Sequence, residues 1–149
     1  TYYILPNPNN PLESLSSVSF NGSNHNFAVS GNGEIPSFSG AVKSPVNFNF
    51  TAPAANSTIS KSTDLKVTWG GGSSNKVLVQ LVGVTSKSVK VYQDLSDNGS
   101  YTIPAADLSG FSGDCLLYVV KYNYNTVTSG GKKYYLISEI VKNNAIKVN

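Results

Sequence analysis

Asp64-Leu-Lys-Val-Thr-Trp69 alternates polar and apolar side chains with period two, which puts Leu65, Val67 and Trp69 on one face of a strand. Gly70-Gly-Gly-Ser-Ser-Asn75 breaks that run, and Lys76-Val-Leu-Val-Gln-Leu-Val82 opens the next strand. Asp97-Asn-Gly-Ser-Tyr-Thr-Ile-Pro104 reads as a turn and a short strand closed by proline. Strand follows strand with no helical periodicity between them. The predicted class is all-β: an antiparallel β-sandwich with Ig-like or fibronectin-III-like Greek-key connections. Such a scaffold serves many functions, so function must be argued from a site.

Working outward, strands are expected at 64–69, 76–84, 88–93, 99–103, 115–128 and 132–141, with a last one near Ile146 and Val148. Toward the N-terminus, Val18 with Phe20 and Phe27 with Val29 suggest two short strands around Asn21-Gly-Ser-Asn24. Another is expected from Phe38 to Val42, and Phe48 and Phe50 alternate again before Pro53. Residues 1–16 are rich in Pro, Asn and Ser and read as an extended arm or linker. Residues 17–50 hold too few apolar groups for a core of their own. They are expected to add strands to a main domain over 51–149, or to be the tail of a truncated preceding one.

Ala52-Pro-Ala-Ala-Asn-Ser-Thr-Ile-Ser-Lys61, Leu-Lys-Val-Thr-Trp69, Val-Leu-Val-Gln-Leu81, Asp-Asn-Gly-Ser-Tyr-Thr-Ile-Pro104 and Leu108-Ser-Gly110 together resemble one known module. It is the Ig-like domain of the Ser/Thr-rich glycosylphosphatidylinositol-anchored and cell-wall glucan-synthesis proteins, also met in bacterial surface proteins. The likeness spans roughly residues 51–120. It departs where an aromatic usually follows the later Ser-Gly turn; here Ser112-Gly113 leads into Asp114 and Cys115. The resemblance implies an Ig-like fold and a place outside the cell, and it brings no catalytic motif.

Composition points the same way. A chain of 149 residues buries roughly 68–70% of its unfolded surface. Charged residues make up only 13%, about half the usual share, so Asn, Ser and Thr must supply the polar surface. The net charge of +3 comes from lysines spread along the chain, with no arginine, a poor match to nucleic-acid binding. No apolar run reaches membrane-spanning length. The chain begins at Thr1 and has no Met, which suggests a processed piece of a secreted precursor. The expected location is extracellular or cell-surface, with the periplasm as a variant.

Few residues carry chemistry. Cys115 is the single cysteine and lies in an apolar strand, so it reads as a buried, unreactive thiol. His25 is the single histidine, flanked by Asn24 and Asn26, and reads as a solvent-facing loop residue. No Cys/His cluster suggests zinc, no nucleophile-elbow motif accompanies the histidine, and Gly31-Asn-Gly33 and Gly70-Gly-Gly72 lack the Lys-Ser/Thr of a phosphate loop. Neither a metal site nor a cofactor is expected. Asp94, Asp97 and Asn98 offer three or four oxygens to calcium but also suit a β-turn. Asn21, Asn49, Asn56 and Asn98 fit Asn-x-Ser/Thr, which matters only in a eukaryotic secretory route.

The tyrosines form the unusual cluster. Gly130-Gly131 suits a two-residue hairpin turn. Residue 129 then faces 132, 124 faces 137, and 122 faces 139. Cys115, Leu117 and Val119 share the core face with Leu136, Ser138 and Ile140. Tyr122, Tyr124 and Tyr135, with Val120 and Ile137, share the other. Those three tyrosines are the expected ligand or interface residues, unless residues 17–50 cover them. The function expected is that of a non-catalytic secreted or cell-surface module for adhesion, carbohydrate binding or structural spacing, with a glycan or protein ligand. The alternative is an accessory domain of a secreted hydrolase whose catalytic domain lies elsewhere.

Overall fold

A computed structural model describes residues 18–72, 74 and 76–149; the arm expected over 1–16 lies outside the described residues. The chain runs through β1 (Asn24–Val29), β2 (Phe38–Lys43), β3 (Phe50–Ala52), β4 (Thr58–Ile59), β5 (Leu65–Trp69), β6 (Lys76–Gly83), β7 (Val89–Leu95), β8 (Ser100–Ile103), the one-turn helix α1 (Ala105–Leu108), β9 (Gly113–Ser129) and β10 (Lys132–Val148). The fold is all-β. A five-stranded sheet has the order β4-β10-β9-β6-β7, a three-stranded sheet the order β3-β5-β8, and β1 pairs with β2. The pairings are antiparallel except for the short β4, which runs parallel to the end of β10.

Alternation in the sequence becomes alternation in burial. Leu65, Val67 and Trp69 of β5 are buried, as are Val77, Val79 and Leu81 of β6. They join Ile103 of β8, Leu117 and Val119 of β9, and Ile146 and Val148 of β10 in one cluster that draws on both larger sheets. Each such aliphatic side chain contributes about 1.5–3 kcal/mol on burial. Pro104 ends β8, and the Asp64 carboxylate then accepts the Ala105 N–H at 2.8 Å, starting the turn that drops Leu108 and Phe111 into the core.

The hairpin β9–β10 is the spine of the molecule. Gly130 and Gly131 take φ of 56° and 74°, which a primed turn requires. From Lys132↔Ser129 to Val148↔Gly113 the register is unbroken. Sequence reading split this second strand near Lys142-Asn-Asn144, whereas the structure has one 17-residue strand. The polar stretch stays in the ladder because Asn143 points to solvent and the Asn144 amide donates to the Pro53 carbonyl at 2.9 Å. The expected strand over Val18 and Phe20 does not form; Gly22, at φ 88°, turns the chain, and Asn21 keeps only an isolated bridge to Val46.

β6 pairs with β9 only as far as Lys76↔Tyr122, so the rest of the hairpin projects past the sheet. There β2 lies against its inner face. The Asn123 and Asn125 amides donate to the Lys43 and Ala41 carbonyls at 2.7 and 3.0 Å, and Phe38 stacks on Tyr134 at 4.2 Å. Gly40 permits the approach, since a Cβ there would stand 2.7 Å from both Leu136 and Val127. Residues 18–50 therefore cover the Asn123 and Leu136 side of the hairpin. This corrects the expectation that they cover Tyr122, Tyr124 and Tyr135, which point the other way. The reason is register: Asn123, Asn125 and Val127 are in phase with Leu117 and Val119, so the core face itself continues to the tip.

A charge is buried in that face. Lys121 is fully buried; its Nζ lies 2.9 Å from Asp97 Oδ2, donates to the Gly70 carbonyl and stands 4.9 Å from the Phe48 ring centroid. Asp97 in turn accepts from Trp69 Nε1 at 2.8 Å and from the Ser74 N–H and hydroxyl at 3.1 and 3.0 Å. Removing one partner strands the other in the core. Asp97→Ala is expected to lose about 3–5 kcal/mol in urea unfolding, and Asp97→Leu with Lys121→Met to recover most of it. A loss below about 1 kcal/mol for the single variant would show that water reaches the pair.

Candidate functional site

The outward side chains of the five-stranded sheet form a continuous surface. Across β10, β9 and β6 the rows are Ala145–Leu116–Val82, Asn143–Tyr118–Gln80, Val141–Val120–Leu78 and Glu139–Tyr122–Lys76. Val89 and Val91 of β7 extend the first two rows, and Ile137–Tyr124 and Tyr135–Thr126 continue the surface along the projecting hairpin. Strand alternation alone places these side chains on one side.

Exposure singles this surface out. Tyr135 is 63% accessible, Ile137 53% and Tyr124 48%, and Val141, Val89 and Val91 are similar. Six of the ten large apolar residues exposed among the described residues thus lie on one sheet face. The three expected tyrosines all lie there but behave differently. Tyr124 and Tyr135 stand open. Tyr122 is half-buried, and its hydroxyl donates to Asp94 Oδ1 at 3.2 Å. Its phenol is held above the ordinary tyrosine range, first by burial and then by the Asp94 charge. Asp94 takes φ 58° where the β6–β7 register shifts, which aims its carboxylate at Tyr122.

The remaining candidates are dispersed. Asp97 is turned inward to Lys121, Asp94 outward to Tyr122, and the Asn98 N–H donates to the Ser96 carbonyl at 2.9 Å, so the calcium loop read from sequence does not converge. Among the described residues, no three His, Cys, Asp or Glu side chains stand together as metal ligands. No helix among them is long and apolar enough to cross a membrane.

His25 corrects its expected loop position: it lies in β1, half-buried, with Phe20 edge-on at 5.2 Å. Its Nε2 donates to the Ser19 carbonyl at 3.0 Å, and in the neutral ring Nδ1 then accepts from the Ser138 hydroxyl at 3.0 Å. Ser138 is buried and the second ring nitrogen meets a carbonyl rather than a carboxylate. The pair fastens β1 to β10, and this serine is closed to a substrate. At the sheet edge, Asp107 accepts from Lys90 at 2.8 Å and from the Tyr92 hydroxyl at 2.7 Å. Lys90, then Tyr92, hold its carboxyl below the usual range, while burial above all pushes the Tyr92 phenol up.

Sequence reading missed Val89 and Val91, although their period-two spacing carries the signal. No protein-family model, curated protein or solved structure matches this chain.

Cys115 lies in β9 and is 1% accessible. Burial, with the Asp114 charge second, pushes its thiol above the usual range. Because the thiolate is the reactive form, native protein at pH 8 is expected to react with a disulfide reagent far more slowly than urea-unfolded protein. Equal rates would show that β9 opens on the timescale of labelling.

Proposed function

We propose that this chain is a non-catalytic, Ig-like β-sandwich module of a secreted or cell-surface protein, acting by contact through the outer face of its five-stranded sheet. The observation that carries the reading is the grouping of Val89, Val91, Tyr124, Tyr135, Ile137 and Val141 in solvent on that face. An apolar patch of this kind marks an interaction surface, and tyrosine supplies contact area with a polar tip for a protein or a glycan.

The sandwich reading is supported by connectivity. The chain passes from β5 to β6 and from β8 to β9 between the two larger sheets, giving the orders β3-β5-β8 and β4-β10-β9-β6-β7. Crossings in this order support the reading of an Ig-like Greek key. They agree with the resemblance of residues 51–120 to the Ser/Thr-rich surface module. A surface with few charges and many Asn, Ser and Thr fits a place outside the cell. The buried Ser138 beside His25 and the inward-turned Asp97 fit a binding role better than a catalytic one.

Tyr124→Ala, Tyr135→Ala and Ile137→Ser combined should test this. All three side chains project from the fold, so the unfolding free energy is expected to shift by no more than about 0.5 kcal/mol per site. Retention on cell-wall polysaccharide or on protein-coated beads should be lost. Undiminished retention by the folded triple variant would overturn the contact reading.

A further inference from the structure

We propose that Tyr2-Tyr3-Ile4-Leu5 of this chain adds a strand to the five-stranded sheet, along the edge of β10 between Lys133 and Val141.

That edge is open. β4 takes only the end of β10, where the Lys147 and Asn149 N–H groups donate to the Ser57 and Ile59 carbonyls and the Ala145 carbonyl accepts from the Asn56 N–H. Odd-numbered residues of β10 therefore aim their backbone groups away from β9. The register to β9 is unbroken, so the N–H and C=O groups of Lys133, Tyr135, Ile137, Glu139 and Val141 point out of the same edge. Among the described residues no backbone hydrogen bond reaches them. A row of unpaired groups of this length is a template for one more strand. The far edge of the sheet, β7, is blunted by the register shift at Asp94.

The course of the chain names the occupant. The described chain begins at Val18, and Val18 and Phe20 line a cleft with Glu139, Ile140 and Val141 at this edge. Residues 6–17 connect Val18 with Leu5. They reach roughly 20 Å as a flexible chain and at most about 37 Å as polyproline. Lys133 stands about 20 Å along β10 from Glu139, at about 3.3 Å per residue. A segment tethered so closely meets the edge at an effective concentration on the order of mM, ahead of a partner free in solution.

The residues suit the place. Tyr2-Tyr3-Ile4-Leu5 is an aromatic and aliphatic run ended by Pro6, which has no N–H for a ladder. The run is apolar on both faces, as a strand covered on both sides is. Alternate side chains would extend the outer surface beside Tyr135 and Ile137, and the others would meet the cleft at Phe20 and Ile140. The added strand lies beside β10 in the plane of the sheet, so the outer face stays open for the contact described above.

Amide hydrogen exchange of the full chain, read residue by residue by NMR, tests the proposal. At least two of the Tyr135, Ile137, Glu139 and Val141 N–H groups are expected to exchange about tenfold or more slowly than in an unstructured chain. Tyr3→Pro with Ile4→Pro should return them to the unstructured rate, because proline neither donates to a ladder nor fits within it. The Leu117 and Val119 amides should keep their protection in that variant, which confines the loss to the edge. Edge amides that exchange freely in the wild type overturn the proposal. Protection that survives both prolines overturns it too, since another segment then holds the edge. Protection that rises with protein concentration assigns the edge to a second copy and likewise overturns it.

Discussion

The ion pair between Lys121 and Asp97 governs the centre of this molecule. It ties β9 to the turn before β8, and through the Gly70 carbonyl and the Trp69 indole it ties both to the end of β5. A buried pair adds little net stability over apolar side chains of the same size, yet breaking it strands a charge. Its effect is to set the position of three segments. One register step in β9 would carry Lys121 to solvent and take from Asp97 and the Gly70 carbonyl the ammonium they share.

Lys121 also marks a change in the character of the inner face. Below it, Val119, Leu117 and Cys115 pack in an apolar cluster. Above it, Asn123, Asn125 and Ser138 bind β1 and β2 through side-chain hydrogen bonds to Lys43, Ala41 and His25. One hairpin therefore serves two kinds of packing, dry against β5 and β8 and polar against β1 and β2. Since the inner face is occupied from end to end, the outer face is the one left open by the described residues, and its tyrosines owe their placement to the same register.

Much of this was legible from residues alone. Gly130-Gly131 set the turn, the turn set the pairing of Tyr122 with Glu139 and Tyr124 with Ile137, and alternation then set the faces. Local chemistry sufficed because a two-residue turn leaves the register no freedom. What escaped was non-local. Asp97 sits in an Asp-Asn-Gly turn like many exposed aspartates, and only the fold brings Lys121 to it. Nothing near His25 in sequence announces Ser138, which lies 113 residues away. Residues 18–50 were legible as strands in need of a partner, but the face they take depends on Gly40 meeting Leu136 and Val127.

The parallel pairing of β4 with β10 has a mechanical consequence. Segment 56–61 is tied to segment 145–149 by four backbone hydrogen bonds, Asn56 to Ala145, Lys147 to Ser57, Asn149 to Ile59 and Lys61 to Asn149, at 2.7–3.1 Å. Because the two segments run in the same direction, tension drawing Asn149 away along β10 while Asn56 is held loads all four bonds at once, in shear. An antiparallel pair pulled from its open end parts one rung at a time. Forced unfolding is governed by the height of the unfolding barrier, so two residues of strand can act as a clamp out of proportion to their length.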